Sequence, residues 1–149
     1  MGDPAEAACD RVYGHDTHKL GLDREWQSGK RLYMAKMTAA MRYTPDRLVK
    51  DAFVECMGIG RDQTLKIKLE KVYALNRWNH IGPTDLFVYD QPKETFYQAN
   101  ILDWEEAFAD APVKTFPEGK QYYSVHRDSF PGLLNIVPPE SQPCSKCGH

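Results

Sequence analysis

The last six residues read Cys144-Ser145-Lys146-Cys147-Gly148-His149, the most specific chemical feature of the chain. Two cysteines separated by two residues can grip one tetrahedral Zn²⁺ through their thiolates. A glycine directly after the second permits the positive-φ turn that aims backbone amides at the sulfurs. Cys144, Cys147 and His149 are therefore the candidate metal ligands, for one Zn²⁺ ion. A closed site needs a fourth ligand, and Cys9, Cys56, His126 and the His15-Asp16-Thr17-His18 cluster are the residues that could supply it. The alternatives are a cofactor-free tail with two free thiols, a redox-labile pair, or a site completed by a partner chain.

The remaining chemistry-bearing residues have plainer readings. His15 and His18 would share a helical face, but Gly14 and the lack of apolar periodicity make them loop residues. His80 lies just before Gly82-Pro83 and reads as a turn or cap residue. His126 reads as a strand residue facing solvent. Cys56 falls on an apolar stripe and reads as a small core residue. Asp103, Glu105 and Glu106 could do acid–base work in a pocket, yet Asp103 and Glu106 also have capping-box spacing at a helix start. Gly-x-Ser-x-Gly is missing, and Gly58-Ile59-Gly60 lacks the companions of a phosphate-binding loop. No catalytic residue is assigned.

Charge is uneven. The chain carries 19 Lys and Arg against 21 Asp and Glu, a formal net charge of -2, which argues against nucleic acid as the partner. Within residues 19–50, basic groups such as Lys30, Arg31, Lys36 and Arg42 dominate, whereas residues 84–118 are strongly acidic through Asp85, Asp90, Asp103, Glu105, Glu106 and Asp110. Such halves can face each other or face partners. No apolar run approaches the ~18 residues of a membrane span. The acidic start Met1-Gly2-Asp3-Pro4-Ala5-Glu6 lacks the apolar stretch of a cleaved secretory signal, so an intracellular location, cytoplasmic or organellar, is expected.

These residues must be held by a framework that the periodicity outlines. A helix over 23–43, entered from Leu22, places Leu22, Trp26, Tyr33, Met37, Ala40 and Met41 on one face. Thr44-Pro45 then stops that helix and opens another, with Leu48, Val49, Ala52, Phe53, Cys56 and Met57 as its buried stripe and Gly58 as its stop. Together they predict a helical hairpin over 23–57. Residues 64–78 fit a strand and a helix about equally. Two strands at 86–89 and 95–97 flank a loop, a short helix follows at 104–109, and a further strand is expected at 121–126.

The expected fold class is α+β: an N-terminal helical hairpin packed on a small, mainly antiparallel sheet, with extended N- and C-terminal tails. The expected organisation is a polar segment over 1–21, one domain over 22–137, and a tail over 138–149. Apolar content of 42% is thin for this length. Aromatics such as Trp104, Phe108, Phe116, Tyr122, Tyr123 and Phe130 are spread through a loop-rich second half, where partners could bury them. The expected function is a non-catalytic accessory subunit or adaptor that binds other protein subunits in a larger assembly. The alternatives are a zinc-binding recognition module using the terminal cluster, for protein or nucleic acid, and a small enzyme with an aromatic-lined pocket.

Overall fold

The computed structural model describes residues 3–20, 43–132 and 135–138. Their elements are α1 (Pro4–Tyr13), β1 (Thr17–Lys19), β2 (Arg47–Val49), β3 (Ala52–Ile59), β4 (Thr64–Lys68), α2 (Leu69–Asn79), β5 (Thr84–Asp90), β6 (Thr95–Asn100), α3 (Glu105–Asp110), β7 (Val113–Thr115), β8 (Gln121–His126) and β9 (Asn135–Ile136). The chain is a mixed α+β fold. A six-stranded sheet runs in the order β1-β2-β3-β5-β6-β9, and a three-stranded sheet runs β4-β8-β7.

The second half of the expected helical hairpin is not helical. Residues 47–59 form β2 and β3, joined by a tight turn at Lys50-Asp51 in which Lys50 takes a positive φ of 52°. The stripe from Leu48 to Met57 has helical spacing, and a long-range partner overrides it. All of Phe53–Ile59 pairs in parallel with Thr84–Asp90 of β5, so tertiary pairing outweighs the local helical reading. The first half of the hairpin lies outside the described residues. The amino-terminal segment, expected to be extended, holds α1. Asp3 caps it by accepting from the Ala5 amide at 2.7 Å, Pro4 occupies its first turn, and Ala5, Ala8 and Cys9 form its buried stripe.

The evenly balanced segment 64–78 is a strand followed by a helix. Leu65 and Ile67 alternate inward along β4, after which Val72, Ala74 and Leu75 form the buried stripe of α2. This β4–α2 passage is the crossover that parallel strands β3 and β5 require. The hairpin β5–β6, the strand β8 and the short helix α3 stand where the residues predict them. The capping box does not form: Asn100 accepts from the Leu102 amide at 3.0 Å instead and opens a 3₁₀ turn, Ile101–Trp104, that feeds α3.

Each face of the large sheet carries a core. Val54, Cys56, Phe87 and Phe96 pack beneath α1. On the other face Leu86 and Val88 meet Leu65, Ile67, Leu75 and Trp104 from the second layer. Strand β5 is buried on both faces from Leu86 to Asp90, which accounts for its near-continuous apolar run.

Candidate functional site

Two polar regions stand out, and the first is internal. Beneath α1, the Arg47 guanidinium bonds Glu6 at 2.6 Å and Asp10 at 2.9 Å, fastening the helix to β2. Asp46 accepts from the Cys56 amide at 2.9 Å, and the Lys71 ammonium lies 2.8 Å from the buried Glu55 carboxylate. Burial and the Glu55 charge push the Asp46 carboxyl up to about 8. Cys9 on α1 and Cys56 on β3 are both buried free thiols in hydrogen-bond contact. That contact, with burial, holds Cys56 far above the usual thiol range, so it is a poor nucleophile. Tyr13 is likewise pushed up to about 12 by burial, its hydroxyl donating to Gln98. The Arg47 ion pairs, the Cys9–Cys56 contact and the Tyr13–Gln98 bond anchor α1, while Lys71 ties α2 to β3.

The second region opens to solvent around α3, β7 and the end of β8. The 3₁₀ turn and α3 present Asp103, Glu106 and Asp110 at spacings of three and four, so they line one side. With Glu105 they are exposed carboxylates, and none has an ion-pair partner among the described residues. Asp103, Glu106 and Asp110 border a cavity of about 360 Å³ closed by Ser129, Phe130 and Pro131. It adjoins a second cavity of about 260 Å³ lined by Thr64, Asp110, Pro112, Ser124, His126 and Ser129. Ser124 is only 9% exposed, and its hydroxyl has no hydrogen bond among the described residues.

The cavity follows from strand lengths. Strand β7 is three residues long, and its last bond toward the cavity runs from the Ser124 amide to the Pro112 carbonyl at 3.0 Å. Strand β8 continues past that point to His126, leaving a notch that the end of α3 overhangs. His126 closes one wall, its Nδ1 accepting from the Asp128 amide at 3.2 Å. Below it, Arg127 reaches the fully buried Asp90 at 3.1 Å. Removing that guanidinium would leave a buried carboxylate unpaired, so Arg127→Met is expected to cost about 3 kcal/mol or more. Urea denaturation checks this, and a loss below about 1 kcal/mol would contradict it.

The expected site residues land as follows. Cys144, Cys147 and His149 lie outside the described residues. Cys9 and Cys56 are brought together, His126 lines the notch, His80 caps the end of α2, and His18 is exposed on β1. Among the described residues no group of three His, Cys, Asp or Glu is placed to hold a metal ion. Nor is any helix there long and apolar enough to cross a membrane. Trp104, Phe108 and Phe130 are buried within this chain, so they do not wait for a partner to cover them. Strand β7 has no counterpart among the expected elements, Pro112 and Pro117 having marked a loop, although Val113 and Thr115 are β-branched. No protein-family model matches the chain, and neither does any curated protein or solved structure.

Proposed function

We propose that the chain is a non-catalytic accessory subunit or adaptor that binds another protein through the face built by α3, β7 and the end of β8. The observation carrying this reading is the row Asp103, Glu105, Glu106 and Asp110: four exposed carboxylates with no cation against them among the described residues, beside a notched sheet edge. Several other acidic groups are answered: Glu118 by Lys68, Glu70 by Lys120, Asp62 by Lys66. Crowded like charge without counter-charge raises the local potential and is relieved when a basic surface docks. Exposed Leu102 and Val113, at 54% and 47%, add apolar contact at the two ends of the row.

The test is the size of the particle that carries the chain in native extract. The expected result is a particle clearly larger than 17.1 kDa that comes apart as salt rises from about 0.05 to about 0.5 M, because salt screens contacts between exposed charges. A 17.1 kDa monomer at low salt would overturn the proposal.

A further inference from the structure

Strand β7 ends the three-stranded sheet, and its hydrogen-bonding groups can be assigned to sides. The Pro112 carbonyl accepts from Ser124 at 3.0 Å, and the Phe116 amide donates to the Lys120 carbonyl at 2.8 Å, both toward β8. In an antiparallel pair a residue's N–H and C=O point the same way and successive residues alternate. Residues 112, 114 and 116 therefore face β8, and the N–H and C=O of Val113 and Thr115 face outward. All three β7 residues are exposed, and nothing among the described residues pairs with that side.

We infer that the outer edge of β7 receives an extended segment of a partner protein as an added strand, with basic residues of that segment set against Asp110 and the acidic row of α3. This rests on the proposed adaptor role and names how the partner is held. Main-chain bonds to Val113 and Thr115 supply the grip, and charge supplies the choice of partner. A second copy of this chain is a poor occupant. The antiparallel pairing that uses the outward groups of both copies sets Lys114 against Lys114, so like charges oppose. Short edge strands bearing lysine are a common guard against self-association. Here Lys114 leaves the edge open to a segment that is uncharged opposite it and basic only where it reaches Asp110 and α3.

The experiment uses the full chain and two synthetic peptides of alternating valine and threonine, one ending in paired lysines and the other in paired glutamates. Val113→Pro and Thr115→Pro each remove an outward N–H without touching a bond to β8, and proline is tolerated on edge strands. The lysine peptide is expected to bind at least about tenfold more tightly than the glutamate peptide. The double variant V113P/T115P is expected to lose about tenfold or more of that affinity. In the unaltered protein, the lysine peptide is expected to slow hydrogen exchange at the Val113 and Thr115 amides, a readout that survives if the proline variant folds poorly. Equal binding of both peptides, no binding of the lysine peptide, or unchanged exchange at those amides would each overturn the inference. A native particle that persists with V113P/T115P would overturn it while leaving the adaptor role standing. A monomer in native extract strikes the adaptor role itself.

Discussion

Replacing Trp104 with alanine is expected to cost about 3–5 kcal/mol, the largest single-residue loss anticipated among the described residues. Trp104 is fully buried, its ring tilted against Phe130 at 5.0 Å and stacked with Phe108 at 6.1 Å. It sits where the turn Ile101–Trp104 becomes α3, so the void would open beneath the acidic row. Its indole N–H is buried without a hydrogen-bond partner among the described residues. Trp104→Phe therefore sacrifices no bond and relieves an unsatisfied donor, and it is expected to cost far less, about 1 kcal/mol. Urea midpoints of the two variants check the contrast. An alanine variant within about 1 kcal/mol of the parent, or a phenylalanine variant as damaged as the alanine one, would refute this account of the core.

The second large effect is a fall in stability with rising pH. Asp46 is pushed up to about 8 chiefly by burial, with Glu55 and Glu6 adding repulsion while the Cys56 amide and Lys71 work against them. An unfolded aspartate titrates near 3.9. Between about pH 4 and about pH 8 the folded chain thus holds a proton that the unfolded chain releases, and stability falls as pH rises. Asp46 alone contributes a slope of at most about 1.4 kcal/mol per pH unit. Glu55 is raised in the same direction by burial, with the Lys71 ammonium opposing it. Asp46→Asn keeps the shape and the acceptor for the Cys56 amide, and it is expected to flatten most of the slope. Denaturant midpoints from about pH 5 to about pH 8, parent against D46N, measure this. A parent as stable at the upper end as at the lower would sink it.

What the residues revealed beforehand divides along a physical line. Elements governed by local chemistry were legible: the hairpin β5–β6 from its aromatic and β-branched arms, β8 from Tyr122 to Val125, and the helix after Asp103. Elements fixed by distant partners were not. Residues 47–59 carry a stripe with helical spacing, and it is pairing of β3 with β5, some thirty positions on, and of β2 with β3 that makes them strands. Helix α1 was hidden because its buried stripe is Ala5, Ala8 and Cys9, small side chains that raise little hydrophobic signal in an acidic segment. Of the three carboxylates singled out beforehand, Asp103 and Glu106 border the cavity. They stand there as free surface charge, since Asn100 takes over the capping. Asp110 and Ser124 join them only through the fold. The edge of β7 was illegible because being an edge depends on where the neighbouring strands end.

The most direct test of a docking face at β7 and α3 is hydrogen exchange at the Val113 and Thr115 amides, compared between the isolated chain and the assembled particle from native extract. The account predicts fast exchange in isolation, from unpaired outward amides, and strong slowing in the particle. Equal, fast exchange in both would contradict it.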